Sequence, residues 1–190
     1  MRTFILFMRK ARTDNKFNIE DMPGSGGRID LAARCVNSAL WISHNMRDDS
    51  EIYCILNGPS NPPVTIRFGR EIKRVSPDER SIGIWIKKAL SEDFGKEWHI
   101  MNNGIMVARK SFQDVIKEMK DRPIYVLHEK GKKVSKFKKD SVIVLGDHLG
   151  IPSKDEKFAL RNGEKISLGK TSYLASSCIS IVNWMIDEDA

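Results

Sequence analysis

Apolar and polar positions alternate along the N-terminal half in a way that predicts strands and helices in turn. Three short apolar stretches predict strands: residues 2–8, 51–56 and 64–68. Residues 29–46 have apolar side chains near helical spacing and predict a long helix. Residues 14–28 are polar and end in a glycine-rich turn, which predicts a loop. Such alternation is typical of an α/β layer architecture.

The same pattern continues along the rest of the chain, where several helix starts are marked. Residues 76–79 read Ser-Pro-Asp-Glu, which predicts Ser76 as a cap, a capping box to Glu79, and a helix over 77–90. Further helices are predicted over 111–120 with Ser111 as cap, over 153–160 with a box from Ser153 to Glu156, and over 172–186. Strands are predicted at 104–108, 124–128, 141–145 and 165–168.

Composition is that of an ordinary globular domain. The chain has 190 residues, 41% of them hydrophobic and 30% charged. Apolar runs fall short of the ~18 residues that a membrane span needs. The three cysteines are far apart and the four histidines do not cluster, which favours a reducing cytoplasm and no metal site. The best division lies near residue 121, between halves that share one sheet.

The charge balance favours a polyanionic partner. The formal net charge is +7 and the isoelectric point is near 9.3, so counterion release would favour binding to nucleic acid. Residues 130–139 hold six lysines and one phenylalanine, and we predict a solvated hairpin or loop there.

Gly169-Lys170-Thr171 has the form of the end of a phosphate-binding P-loop, but the spacing excludes one. The motif needs four residues between its two glycines, whereas five separate Gly163 from Gly169. The intervening residues also look like a strand. The glycines of residues 24–27 likewise lack the spacing of a dinucleotide fingerprint.

Two glycine-containing loops instead predict a pocket for a small cofactor. Residues 145–150, LGDHLG, follow one predicted strand, and residues 168–172, LGKTS, follow the next. Ligands of parallel α/β sheets bind at the carboxyl ends of strands, where glycine allows close backbone approach to an adenine or a ribose. Leu127 ends a third strand that could join them. The plainer alternative is that these glycines only make turns.

Four blocks carry a resemblance to a known family. They are residues 23–44 (PGSGGRIDLAARCVNSALWISH), 58–90, 145–150 (LGDHLG) and 167–187 (SLGKTSYLASSCISIVNWMID). Together they resemble the TrmY family of archaeal tRNA pseudouridine-54 N1-methyltransferases, within the SPOUT superfamily, and the similarity covers nearly the whole chain.

The resemblance implies a fold, a cofactor and partners. The implied fold is a single α/β SPOUT domain over residues 1–190. Residues 1–120 would form a Rossmann-like parallel half with RNA-facing loops, and residues 121–190 a deep trefoil knot that binds S-adenosylmethionine. It also implies a cytoplasmic homodimer that acts on tRNA. The family's knot loops match ten cofactor-binding candidates here: Leu127, Gly146, Gly150, Leu168, Gly169, Lys170, Thr171, Ser172, Tyr173 and Cys178.

The implied reaction moves a methyl group from S-adenosylmethionine to N1 of a pseudouridine in the TΨC arm of tRNA. A group must accept the N1 proton and another must stabilise charge on the ring. The candidates are Asp78, as base or as its orienting group, and Arg80, as ligand of the ring or a phosphate. Asp78 could equally be a first-turn helix acid. Phosphate contacts are expected from six arginines: Arg9, Arg12, Arg28, Arg67, Arg70 and Arg74.

Two other functions remain open at this point. A related SPOUT enzyme could methylate an rRNA pseudouridine or a ribose 2′-hydroxyl. Alternatively, the chain could be a basic RNA-binding module without catalytic activity.

Overall fold

The structure, a computed structural model, describes residues 1–188. Within these residues the chain forms ten strands, five α-helices and one 3₁₀ turn. In chain order they are β1 (Arg2–Met8), the 3₁₀ turn (Ile19–Asp21), α1 (Ile29–Leu40), β2 (Trp41–Ile42), β3 (Asn45–Met46), β4 (Ser50–Leu56), β5 (Val64–Phe68), α2 (Glu79–Ala89), β6 (His99–Ile100), β7 (Met106–Ala108), α3 (Phe112–Glu118), β8 (Ile124–Lys133), β9 (Val142–Gly146), α4 (Ser153–Ala159), β10 (Gly163–Ser167) and α5 (Ala175–Glu188).

Eight strands form one mixed sheet in the order β10-β8-β9-β1-β4-β5-β7-β6. The five strands from β10 to β4 run parallel, and β5, β7 and β6 extend the sheet with antiparallel pairs. β1 lies between β9 and β4, so Thr3 faces Val142 on one side and Glu51 on the other. The predicted α/β class, with a large and mostly parallel sheet, is confirmed.

The sheet has a hydrophobic core on each face. Along β1, Phe4 and Leu6 pack into one core, and Ile5 and Phe7 pack into the other. Helices α1, α2 and α5 cover the first core, while α3 and α4 cover the second. All seven residues of β1 are buried, as expected for a parallel strand with helices on both faces.

Arg2 fixes the C-terminal helix to the beginning of the sheet. Its guanidinium is buried and lies 2.7 Å from the Asp49 carboxylate and 2.8 Å from the Asp187 carboxylate. Arg2 also donates a 3.2 Å hydrogen bond to the Asn183 side chain of α5. A buried cation with two carboxylate partners is costly to unpair, so α5 is held in one position against β1.

β8 leaves the sheet and returns to it beside β10. Val126 pairs with Lys165, but the next pair along β10 is Ile166 with Lys132. Residues 127–131 therefore bulge out opposite a single peptide bond. Where the strand returns, a Cβ on Gly131 would lie 2.3 Å from the Ile166 carbonyl carbon. The two segments cross so closely that only glycine fits at this position.

Two predicted helices have different boundaries in the structure. The helix predicted over 29–46 ends at Leu40, because Trp41 is extended and begins the β2–β3 hairpin. The helix predicted over 77–90 begins at Glu79, so the assignment of Ser76 as its cap was wrong. Asp78 is the N-cap, and its carboxylate accepts a 2.7 Å hydrogen bond from the Ser81 N–H.

The remaining capping predictions had mixed outcomes. Ser111 caps α3 in a capping box, with Asp114 as its partner, and is confirmed. The box from Ser153 to Glu156 was wrong, because Pro152 occupies the N-cap of α4 and Glu156 pairs with Lys165 at 2.8 Å. Helix α5 begins at Ala175, three residues later than predicted. It also continues two residues past its predicted end, to Glu188.

The lysine-rich segment is more ordered than a solvated loop. Its first four residues continue β8, and Phe137 is buried against Tyr125. We also find that no helix within residues 1–188 has the length and apolar character of a membrane span.

Candidate functional site

A cavity of about 540 Å³ opens at the carboxyl ends of β8, β9 and β10. Its walls come from the bulge within β8, the loop after β9 and the loop between β10 and α5. Its volume lies in the range of roughly 300–1,000 Å³ that is typical of small-molecule sites. The sequence prediction of a pocket between these loops is therefore met in the geometry.

The loop after β9 is a tight turn built around Asp147. The Asp147 carboxylate accepts hydrogen bonds of 2.8 Å from the backbone N–H groups of Leu149 and Arg9. Gly150 closes the turn by donating 2.9 Å to the Asp147 carbonyl, with φ at 69°. A Cβ on Gly146 would lie 2.6 Å from the Gly150 carbonyl carbon, so the turn requires glycine at both ends.

The loop after β10 turns on Ser167 and Gly169. The Ser167 hydroxyl donates 2.7 Å to the Gly169 carbonyl and accepts 3.1 Å from its N–H. Gly169 has φ at 140°, a conformation that L side chains rarely adopt, and the space where its Cβ would stand is open. At Gly169 the loop therefore exposes main-chain atoms to the cavity with no side chain in the way.

Nine of the ten predicted cofactor residues line this cavity: Leu127, Gly146, Gly150, Leu168, Gly169, Thr171, Ser172, Tyr173 and Cys178. Lys170 belongs to the same loop, but its side chain is exposed and does not form part of the wall. Burial raises the pKa of the Cys178 thiol, so it is neutral near pH 7. What these ten residues bind stays a prediction.

A charged cluster lies on the α1 side of the cavity, and sequence reasoning found only its Arg28 and missed Asp30 and Arg34. Asp30 is buried and accepts hydrogen bonds of 3.0 and 3.1 Å from Arg28 and of 2.7 Å from Arg34. Both arginines line the cavity. The spacing of Asp30 and Arg34, one helical turn apart, was a usable signal.

The charge state of Asp30 follows from these contacts. Burial raises the pKa of its carboxyl, but the hydrogen bond and charge of Arg28 and the charge of Arg34 more than offset this, so the pKa lies below its usual 3.8. Asp30 is therefore a carboxylate at neutral pH, and it orients two guanidinium groups at the cavity.

Asp78 and Arg80, the predicted catalytic pair, lie at the exposed N-terminus of α2. Arg80 forms an ion pair with Glu20, and Asp78 caps the helix. Glu79, between them, approaches the cavity-lining Arg34 at 3.8 Å. The start of α2 therefore adjoins the charged cluster and does not line the cavity itself.

The predicted phosphate-binding arginines are dispersed. Arg9 and Arg12 line an open groove of about 490 Å³ at the ends of β1 and β4. Arg12 is paired with Asp14, whose pKa falls to about 2 chiefly through that hydrogen bond. The Arg67 side chain is largely buried and forms ion pairs with Glu51 and Glu71.

Arg70 and Arg74 are exposed. They lie between β5 and α2, and the Arg74 carbonyl accepts a 3.0 Å hydrogen bond from the Trp85 indole. Arg28 lies in the cavity wall with the cluster described above. The six arginines are thus dispersed: one in the cavity wall, two in the groove, two between β5 and α2, and Arg67 in β5 itself.

The cavity suits a neutral heterocycle with polar substituents. Leu127, Leu168 and Ile151 give it apolar walls, while Thr171 and Ser172 add hydroxyl groups. Glycine backbone at Gly150 and Gly169 leaves room for close approach. These donors and surfaces fit an adenosine-like group, and the arginine pair lies beside them.

Comparison with known proteins identifies the class to which this fold and cavity belong. The whole chain, residues 1–190, matches the family described as "Putative SAM-dependent RNA methyltransferase". The chain therefore belongs to that family.

Individual relatives are more specific. A protein of Methanococcus maripaludis strain C7 is 45% identical over 98% of both chains, and one of Thermococcus kodakarensis is 43% identical over 98% of this chain and 99% of its own. Both are named tRNA (pseudouridine(54)-N(1))-methyltransferase. The family resemblance drawn from the sequence is thereby confirmed.

Among solved structures, Nep1 of Archaeoglobus fulgidus bound to S-adenosylhomocysteine is similar. The TM-score is 0.69 at 14% identity, over 98% of this chain and 97% of that one. At this identity the likeness concerns the fold alone.

The charged cluster predicts a pH-dependent effect of Asp30→Asn. The variant loses the charge that holds Arg28 and Arg34, so we expect it to be less stable by about 1–2 kcal/mol at pH 7, with the partly exposed arginines limiting the loss. Because the folded pKa of Asp30 lies below 3.8, this stabilisation is present above pH 4 and lost as the pH falls further. Urea unfolding from pH 7 to pH 3 measures the difference. A difference that persists unchanged at pH 3 would contradict the assignment.

Proposed function

We propose that this protein transfers the methyl group of S-adenosylmethionine to N1 of the pseudouridine at position 54 of tRNA. The observation that carries the proposal is the cavity between the three strand-end loops, in a chain whose relatives at 40–45% identity bear that activity in their names. The similarity extends over nearly the full length of both chains.

The cavity residues are proposed to hold the methyl donor, which supplies an electrophilic methyl group on a sulfonium. Leu127 and Leu168 would flank its adenine, and the Thr171 and Ser172 hydroxyls are suited to its polar groups. Gly146, Gly150 and Gly169 would bring backbone close to it. We assign Tyr173 and Cys178 to the wall and Lys170 to the outer surface of the same loop.

The reaction needs one group that accepts the N1 proton and another that stabilises negative charge on the ring. We propose that these groups lie outside the cofactor loops. Asp147 and Asp30 are poor candidates for the base, because their carboxylates are occupied by the hydrogen bonds described above. Asp78 is exposed and uses one oxygen for the helix cap, which supports its assignment as base or as its orienting group. Arg80 and the pair Arg28–Arg34 are proposed to stabilise negative charge on the ring or an adjoining phosphate.

The fold proposal extends to a deep trefoil knot in residues 121–190, following residues 1–120 in one domain. Its support is the crossing of residues 127–131 over the end of β10, with Gly131 against the Ile166 backbone. A cytoplasmic location is proposed with it, since tRNA is the substrate.

A homodimer is proposed through α5. Trp184 on this helix is 63% exposed, and Leu174, which lines the cavity mouth, is 73% exposed. Large exposed apolar side chains on one helix and in the turn before it are typical of an interface. A partner subunit that covers this face would also adjoin the cavity.

The activity itself can be tested with labelled methyl donor. Purified protein should label a tRNA that carries pseudouridine at position 54 and leave the matched transcript with uridine unlabelled, because only pseudouridine has a free N1–H. In the same assay, Asp78→Asn should lose methyl transfer while retaining affinity for S-adenosylmethionine. Equal labelling of the two RNAs would sink the N1 assignment.

Gly169→Val tests the cofactor loop. The valine side chain would project into open cavity space next to the donor, so calorimetry should detect no S-adenosylmethionine binding in a folded protein. Gly169→Ala is the matched control, since it carries the same backbone strain with less added volume, and it should retain measurable affinity. Wild-type affinity in the valine variant would show that this loop does not line the site.

Trp184→Arg tests the proposed interface. Placing a charge on an apolar contact should convert a dimer into a monomer in sedimentation velocity experiments. Ile100→Arg, in the edge strand β6 and 64% exposed, should leave the dimer intact. A wild-type monomer, or a dimer unaffected by Trp184→Arg, contradicts the proposal.

A further inference from the structure

We propose that the lysine ridge, residues 130–139, binds the phosphate backbone of tRNA outside the cavity. This inference rests on the proposed function for the identity of the RNA. It is carried, however, by the charge, order and position of the ridge, and RNA binding tests it without any methyl transfer.

The surplus positive charge of the protein is concentrated in this ridge. The chain has 32 basic and 25 acidic residues, a net charge of +7. The ridge contains six lysines and no acid, so six of the seven surplus charges lie in ten consecutive residues. The remainder of the chain is nearly neutral, and long-range attraction for a polyanion must therefore centre on the ridge.

Three of the ridge lysines are also available for a ligand, unlike several of the arginines. Lys130, Lys132 and Lys133 are exposed or half-exposed, and none of the three has an ion-pair partner within residues 1–188. Arg12 and Arg67, in contrast, are already held by carboxylates. A phosphate meeting these lysines displaces counterions without first breaking an ion pair.

The ridge is held in place by apolar and backbone contacts. Lys133 pairs with Ser167 in the sheet, and the Val134 N–H donates 3.0 Å to the Ser167 carbonyl. Phe137 is buried, with its ring 5.3 Å from the Tyr125 ring in an edge-to-face contact. An ordered backbone reduces the entropy lost when a ligand binds. These contacts explain why an apolar residue stands among the lysines.

The position of the ridge fits an extended ligand. Glu129, just before it, and Ser167, beside it, both line the cavity. The groove with Arg9, Lys10 and Arg12 lies on the other side, at the ends of β1 and β4. With three strand spacings of about 4.8 Å between β8 and β4, the two basic surfaces stand roughly 14 Å apart. A single nucleotide cannot span that distance, whereas a folded RNA can contact both while one base enters between them.

The test compares two triple variants with equal reduction of charge. Lys130→Gln, Lys132→Gln and Lys133→Gln together remove ridge charges. The control variant combines Lys96→Gln, Lys117→Gln and Lys120→Gln. It removes three exposed charges near the core that α3 and α4 cover. Fluorescence anisotropy with an unmodified tRNA transcript, over a series of salt concentrations, measures binding without catalysis. Calorimetry with S-adenosylmethionine checks that each variant retains a formed cavity.

We expect the ridge variant to bind tRNA at least about tenfold more weakly at about 0.15 M salt, with a salt slope shallower by about 0.9 for each duplex phosphate that it no longer neutralises. The control should bind nearly as the wild type does, and both variants should retain cofactor affinity. Equal weakening in the two variants, or an unchanged salt slope in the ridge variant, overturns the proposal. A different outcome separates the two proposals: the wild-type protein binds tRNA through the ridge but does not methylate it. That result would refute the proposed function and support the proposal for the ridge.

Discussion

The close crossing of β8 and β10 is the constraint on which the site depends. Five residues of β8 stand opposite one peptide bond of β10, and the strand returns with Gly131 against the Ile166 backbone. Those five residues have no partner in the sheet, so they turn outward, and the first three, residues 127–129, form one wall of the cavity. The lysine ridge begins within this crossing, which is why the cavity and the basic surface are neighbours.

The charged groups of the site are of two kinds: those paired inside the protein, and those without a carboxylate partner in the described part of the chain, which are available to a ligand. The Asp147 carboxylate accepts hydrogen bonds from backbone N–H groups and so fixes a turn. The Asp30 carboxylate orients Arg28 and Arg34. These charges are balanced inside the protein and serve to position neighbouring groups. The first three lysines of the ridge have no carboxylate partner among residues 1–188, so their field extends into solvent. A small pocket with paired charges in its wall, beside a cationic surface, suits an enzyme that modifies one base of a large polyanion.

Much of the site could be predicted from the sequence, because its signals are local. Glycines directly after apolar β-branched runs predicted strand-end loops, and parallel strands bring such loops to one edge of the sheet. The spacing from Gly163 to Gly169 excluded a P-loop, and the structure shows that stretch as β10. The features that were predicted wrongly depend on tertiary contacts, which local sequence patterns do not show. Ser76 has the better cap sequence, yet Asp78 caps α2 while Ser81 accepts the Ser76 N–H. The lysine run was predicted to be solvated because the burial of Phe137 depends on Tyr125, which is distant in sequence.

The central claim is that the cavity and its flanking charges direct a methyl group to N1 of a pseudouridine in the TΨC arm. Mass spectrometry of the nucleosides released from tRNA after reaction tests it most directly. We expect one product, N1-methylpseudouridine, in an oligonucleotide from the TΨC arm. A 2′-O-methylated nucleoside, or N1-methylpseudouridine from another part of the tRNA, would contradict it.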